Sequence, residues 1–342
     1  MFNKVKNIIS SDEIKEIMPL SSGVAGIKAA RDETVKNIIS GKDKRKMLVI
    51  GPCSADHEDS VCDYVSRLAK VQEKVVGSIF IVPRIYTNKP RTRGDGYKGM
   101  LHNPDPSKGT DIQEGILHLR HMHIRAVSES GLTAADEMLY PENHTYLDDL
   151  LSYVTVGARS SENQQHRLVA SGVDVPVGIK NPMNGSFNVL LNSIYASQIS
   201  SEFKYQNMQV KTSGNQFAHA VLRGSVDVFG NNIPNYHYED VMKFCQLYKA
   251  QSLANPAVII DTNHSNSGKD FIQQIRISTE IAENIKNDST FRKYVKGLMI
   301  ESYIEDGNQS ATETVYGKSI TDGCLGWEKT ERLIYDLADK LS

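Results

Sequence analysis

The sequence predicts an α/β fold of the (β/α)₈ TIM barrel class, with an N-terminal helical extension and an extra hairpin and loop insertion around the sixth strand. Three observations predict it. Eight short runs rich in Val and Ile recur along the chain. Longer stretches with helical spacing alternate with them. The G-x-G-x-x-G pattern that would favour an open dinucleotide-binding sheet does not follow the first run. Such alternation means a parallel sheet covered by helices, because parallel neighbours need crossover connections.

The candidate strands cover residues 47–53, 79–86, 132–138, 153–159, 175–181, 218–224, 257–264 and 297–303. Helices are expected over 58–75, 111–130, 143–151, 161–171, 187–199, 239–253, 268–286 and 327–341. Residues 1–45 read as an extension with one or two short helices, and residues 46–342 as one catalytic barrel. Residues 87–110 form a long loop containing Gly and Pro after the second strand. Residues 200–216 and 225–238 flank the sixth strand as a hairpin and an inserted loop. Loops of such length in a compact domain are usually functional or disordered.

At 342 residues the chain is long enough for one barrel with additions. Thirty-nine Lys and Arg balance 41 Asp and Glu, which argues against a nucleic-acid partner. The 39% hydrophobic content argues against disorder. No apolar run approaches the ~18–20 residues of a membrane helix, and the first residues show no secretory pattern, so a cytoplasmic protein is expected. Four cysteines in so long a chain are no disulfide framework. Cys62 and Cys245 read as core, and His118, His121 and His123 as a solvated helix face.

Chemistry in a barrel collects at the C-terminal ends of the strands. Here those ends carry Cys53, Arg84, Glu137, Arg159, Lys180, Arg223, His264 and Glu301. Charged groups at these positions are costly unless paired or ligand-bound. Arg84, Arg159, Lys180 and Arg223 on one rim call for a multiply charged anion, such as a phosphate with a carboxylate. Lys89 and Arg91, in the sequence K-P-R-T, point to a second anion site. Cys53, His264 and Glu301, with Asp322 from the last loop, offer S, N and O ligands that suit Zn²⁺, Fe²⁺ or Mn²⁺ better than Mg²⁺ or Ca²⁺. Cys324, two residues beyond Asp322, is expected to approach Cys53.

The motifs G-P-C-S (51–54), K-P-R-T (89–92), G-A-R-S-S-E (157–162), G-I-K-N (178–181), L-R-G (222–224), D-T-N-H-S-N (261–266), E-S (301–302) and G-K-S-I-T-D (317–322) occur in one characteristic order. In this the chain resembles the type I 3-deoxy-D-arabino-heptulosonate-7-phosphate (DAHP) synthases, microbial enzymes that open the shikimate pathway to chorismate and the aromatic amino acids. The resemblance runs from about residue 11 to the C-terminus. It implies an aldol-type condensation of phosphoenolpyruvate with erythrose 4-phosphate, releasing phosphate and needing a divalent metal (Mn²⁺, Fe²⁺, Zn²⁺ or Co²⁺). It makes Cys53, His264, Glu301 and Asp322 the metal ligands. Arg84, Arg159, Lys180 and Arg223 would hold phosphoenolpyruvate. Arg91 and Thr92 would hold the aldose phosphate, with Lys89 between the substrates. Glu137 and Lys89 are the candidates for moving protons.

Two neighbouring chemistries stand as alternatives, a 3-deoxy-octulosonate 8-phosphate synthase and a metal-dependent aldolase. The former carry K-A-N-R-S where this chain has K-P-R-T, so residues 89–92 favour the four-carbon sugar. The resemblance also implies a homodimer or homotetramer and an aromatic amino-acid effector bound by the extension and the hairpin before the sixth strand. Residues 200–209 look short for that site, residues 225–237 look long, and Asp174 replaces an expected small residue, so no particular effector is assigned.

Overall fold

The computed structural model describes residues 1–342 except Thr92, Arg93, Pro106, Ser107 and Thr314. The extension holds α1 (Ser11–Ile17) and α2 (Ser22–Ser40). Ser10 and Glu13 close a reciprocal capping box at the start of α1, and Ser21 caps α2. Then follow β1 (Lys46–Gly51), α3 (Glu58–Val75), β2 (Ile79–Pro83), α4 (Ile112–Ser130), β3 (Ala134–Glu137), a 3₁₀ turn (Pro141–Tyr146), β4 (Leu151–Val156), α5 (Gln164–Ala170), β5 (Val177–Lys180) and α6 (Phe187–Gln198). Next come β6 (Glu202–Tyr205), β7 (Met208–Lys211), β8 (His219–Leu222), β9 (Ser225–Val226), β10 (Asn232–Ile233) and α7 (Tyr238–Ala250). The chain ends with β11 (Val258–Asp261), α8 (Gln273–Asn287), α9 (Ser289–Tyr294), β12 (Val295–Glu301) and α10 (Trp327–Leu341).

Eight strands run parallel in the order β2-β1-β12-β11-β8-β5-β4-β3. A parallel bridge between Arg84 and Ala135 closes the ring, and Ile85 N–H donates to the Ala135 carbonyl at 2.9 Å. This is the expected barrel. Its strands are buried on both faces, which is why they read as continuous apolar runs rather than alternating ones. Met47, Val49, Phe80, Val82, Tyr153, Val221, Ile259 and Met299 fill the interior. Val35, Ile38 and Ile39, from the last turns of α2, pack into the same cluster. Arg31 of α2 donates to the Ile81 carbonyl and to Thr133 Oγ1, near the starts of β2 and β3. The helix therefore closes the lower end of the barrel.

The extra elements sit where expected. β6 and β7 pair antiparallel as the hairpin, and β9 pairs with β10 inside the inserted loop. Three details differ. The helix expected over 143–151 is the short 3₁₀ turn: Pro141 starts it, residues 143–145 are Asn, His and Thr with weak helix preference, and Leu151 already belongs to β4. The helix expected from 268 begins at Gln273, because His264, Gly268 and Lys269 have positive φ. α9 was not foreseen; Asp288 caps it by accepting from Phe291 N at 2.6 Å. His123 also departs from the solvated face: it is buried, and burial followed by the nearby Arg120 pushes its pKa down to about 3.

Candidate active site

A cavity of about 420 Å³ opens at the upper ends of the strands. Cys53, Arg84, Lys89, Arg91, Glu137, Arg159, Lys180, Arg223, His264 and Asp322 all line it. Glu301 lies beneath, fully buried. Thr92 lies outside the described residues.

One side of the cavity gathers the ligand-type groups. Ligand atoms of Cys53, Glu301 and Asp322 lie within 4.8 Å of one another, close enough to share one ion. Cys53 Sγ is 3.4 Å from Asp322 Oδ2. His264 Nε2 is 3.7 Å from Glu301 Oε1. The His264 backbone holds φ at +54°, a left-handed conformation unusual outside glycine, and its ring is turned back toward the β11 end. There His264 Nδ1 lies 2.9 Å from Asp261 Oδ2, an ion-pair distance without hydrogen-bond alignment. This leaves both buried polar atoms short of a full partner.

Burial pushes the Cys53 thiol up to about 11, Glu301 and Asp322 add to the effect, and Lys89 and Arg84 oppose it. The Lys89 ammonium contacts both Cys53 Sγ and Asp322 Oδ2, the latter at 3.1 Å. Burial disfavours its charge, but the thiol, Asp322 and Glu301 outweigh that and hold its pKa above the usual lysine value. Lys89 in turn holds Asp322 well below the usual carboxylate range. A positive charge among these groups is thus stabilised already. The thiol and two carboxylates are a donor set that fits a borderline divalent transition metal; the His264 imidazole, expected as the fourth ligand, reaches Glu301 but stands outside that group of three.

The cations stand next to these groups. Arg84 Nη1 donates to Glu301 Oε1 at 2.7 Å, and its guanidinium lies over the Tyr86 ring, 4.0 Å from the centroid. Its Nε has no partner among the described residues. Lys180 Nζ lies 3.5 Å from Glu137 Oε2 and 3.6 Å from Asp261 Oδ2. Arg223 Nη1 donates to Ser265 Oγ at 3.3 Å. Burial, then repulsion from Arg159, lowers the Arg223 pKa while Asp261 opposes. Arg159 is exposed and, among the described residues, makes no hydrogen bond or ion pair. Arg91 sits on the Tyr97 carbonyl at 2.8 Å.

Several positioning residues escaped the sequence reading. Asp136 accepts from Thr87 N at 3.0 Å and from Glu137 N at 2.7 Å, tying the chain before Lys89 to the end of β3. Burial raises its pKa to about 7. Asp261 braces His264 and Lys180. Asn181, Asn235 and Asn266 link the ends of β5, β8 and β11 by amide hydrogen bonds; Asn235 Nδ2, for one, donates to Asn181 Oδ1 at 3.2 Å. Asp261, Asn181 and Asn266 stand inside motifs noted above, whereas nothing local marks Asp136 or Asn235. Gly157 has a steric reason: a Cβ there would meet Glu137 Oε1 at 2.6 Å.

A second cavity, of about 700 Å³, lies between α1, the 3₁₀ turn and the β6–β7 hairpin. Lys15, Asp148, Asp174, Phe203, Tyr205 and Lys211 are among its walls. No helix among the described residues is long and apolar enough to cross a membrane.

Comparison with known proteins places the chain in a family. The sequence profile of the DAHP synthetase I family matches residues 22–334. The Tyr-sensitive phospho-2-dehydro-3-deoxyheptonate aldolase of Salmonella typhimurium is 33% identical over 344 residues, covering 98% of this chain and 93% of that protein. The Trp-sensitive enzyme of Enterobacter agglomerans is 35% identical over 347 residues, covering 99% and 96%. The solved phospho-2-dehydro-3-deoxyheptonate aldolase of Francisella tularensis superposes with a TM-score of 0.93 at 30% identity, covering 100% of this chain and 98% of that one. The chain belongs to the DAHP synthetase I family.

Proposed function

We propose that this protein condenses phosphoenolpyruvate with erythrose 4-phosphate and water, giving DAHP and phosphate. The carrying observation is one cavity that brings Cys53, His264 and Asp322 together with Arg84, Arg159, Lys180 and Arg223. Arg84, Arg159, Lys180 and Arg223 bind the phosphate and carboxylate of phosphoenolpyruvate. Arg91, with Thr92, takes the phosphate of the sugar.

Cys53, His264, Glu301 and Asp322 are the residues that would hold a divalent cation. When bound, such an ion supplies Lewis-acid polarisation of a carbonyl oxygen. The enol carbon of phosphoenolpyruvate bonds to the aldehyde carbon of the sugar, and positive charge develops at C2. Water adds there, and the resulting hemiketal phosphate loses phosphate. Glu137, with Lys180 Nζ 3.5 Å from its Oε2, accepts the proton of that water. Lys89 gives a proton to the former aldehyde oxygen. Arg159 and Arg223 hold the departing phosphate.

Residues 1–45 act as an extension to one catalytic unit over 46–342, in a cytoplasmic homodimer or homotetramer. The second cavity is the place for an aromatic amino-acid effector, with Phe203 and Tyr205 offering ring faces and Lys15 and Lys211 offering charge. Phosphate release from phosphoenolpyruvate plus erythrose 4-phosphate, with and without EDTA, tests the activity. Metal-dependent release that requires both substrates is expected. Turnover without inorganic phosphate would point instead to a simple aldolase. Adding Phe, Tyr or Trp to the same assay tests the effector, and light scattering tests the assembly.

A further inference from the structure

The lower rim of the barrel, at the far end of β1 and β12 from Cys53 and Glu301, carries a cavity of about 520 Å³. Lys44, Arg45, Lys46, Arg292, Lys293 and Lys296 line it. Among the described residues in its wall the one carboxylate is Asp43, and Arg45 Nε already holds it at 2.9 Å. Lys46 Nζ donates to the carbonyls of Arg292 and Val295, both at 2.7 Å. Arg292 is turned toward the carbonyls of Ile285 and Lys286, at 2.8 and 2.6 Å. Carbonyl oxygens satisfy these donors but do not neutralise their charge.

Lys296 is the anomaly. It is 9% exposed, yet it has no hydrogen-bond or ion-pair partner among the described residues. Exposed lysines such as Lys44 and Lys293 can leave their charge in water; a buried one cannot. It is also the extra residue of a β-bulge. Val258 pairs with Val295 and Ile259 with Gly297, so Lys296 is skipped. Bulges commonly re-aim a side chain. The ammonium rests against Gly41, the φ +81° residue that ends α2, where a Cβ would stand 2.9 Å from Nζ. The end of α2 contributes a negative charge of only about half a unit, against several cations. Burial, then repulsion from Lys296 and Arg292, pushes the Lys46 pKa down to about 7. Burial and Lys293 lower that of Lys296.

We propose that this lower-rim cavity is an anion site for a compact phosphate-class ligand of two or more charges. The ligand is free phosphate or the phosphate end of a phosphorylated metabolite. Lysine ammonium groups bind phosphate oxygens as point charges, and the volume admits either form. The site is separate from the condensation cavity and does not depend on the activity assigned to it.

Calorimetric titration of the full chain with inorganic phosphate tests this. Two classes of site are expected, one in each cavity. Lys293→Gln with Lys296→Gln should remove the lower one and leave kcat and KM within about two-fold. Arg159→Gln with Arg223→Gln should remove the upper one. Lys44→Gln with Lys293→Gln, both exposed, should weaken the lower site about ten-fold without lowering Tm, which guards against a misfolded Lys296 variant. ATP, used as the probe of the second source, separates the two. Binding to the lower site about ten-fold tighter than phosphate assigns a phosphorylated metabolite, and equal or weaker binding assigns free phosphate. A single class of site, lost in the Arg159/Arg223 variant and untouched by both lower-rim pairs, overturns the proposal.

Discussion

The Arg84 guanidinium meets the Glu301 carboxylate at 2.7 Å with almost no solvent access to either. Removing one partner of such a pair strands a charge in the interior, which costs about 3–5 kcal/mol. Glu301→Ala should therefore lower the urea-derived unfolding free energy by that amount as well as abolish turnover. A change below about 1 kcal/mol would show that Arg84 finds water or another anion when Glu301 is gone.

Arg159 is the converse case. It lies in the open, unpaired among the described residues, so it does nothing for the fold. Arg159→Ala should change stability by no more than about 0.5 kcal/mol, yet raise the KM for phosphoenolpyruvate about ten-fold or more. Steady-state kinetics beside a denaturation curve separates the two effects. An unchanged KM would remove Arg159 from substrate binding.

His219 sets an acid limit on stability. Its Nδ1 lies 2.8 Å from the Phe217 carbonyl and must carry the proton, so Nε2 accepts from Tyr153 Oη, also at 2.8 Å. Burial in the barrel lowers its pKa from 6.5 to about 4. The unfolded chain therefore binds the extra proton between those values and the folded one does not. Stability from this neutral ring is complete above pH 6.5 and is lost as the pH falls toward about 4. His219→Gln should flatten that part of a Tm-against-pH curve; an identical slope in both proteins would contradict the assignment.

Cys53 backbone N–H donates to Cys324 Sγ at 3.4 Å, so Cys324 does approach Cys53, as the spacing from Asp322 anticipated. In the metal-free protein, dioxygen should join the two sulfurs with loss of two protons and two electrons. Burial holds both thiols protonated, and Cys324 is raised even further than Cys53. Inactivation in air should accordingly speed up from about pH 7 to about pH 9. Cys324→Ser should resist it, and a thiol reductant should restore the wild type. Equal rates of loss in variant and wild type would remove the idea.

Most of the barrel could be read from the chain because both faces of each strand are buried, which writes uninterrupted apolar runs into the sequence. The upper rim could be read because Arg84, Lys180, Arg223 and Glu301 each interrupt the apolar pattern at the end of such a run. Legibility failed where three-dimensional context decides. No periodicity foretells that His264 takes φ +54° and delays α8, or that Pro141 opens a 3₁₀ turn. Asp136 looks like one more residue of a strand; its grip on Thr87 exists only because β2 and β3 meet at the seam of the ring. Lys296 looks like an ordinary outward residue until the register shift beside it is seen.

Val35, Ile38 and Ile39 plug the lower end of a barrel whose interior is already packed with side chains. The cavity lined by Lys180, Arg223 and Arg91 lies at the other end. With the lower end stoppered, exchange with solvent runs through the opposite mouth.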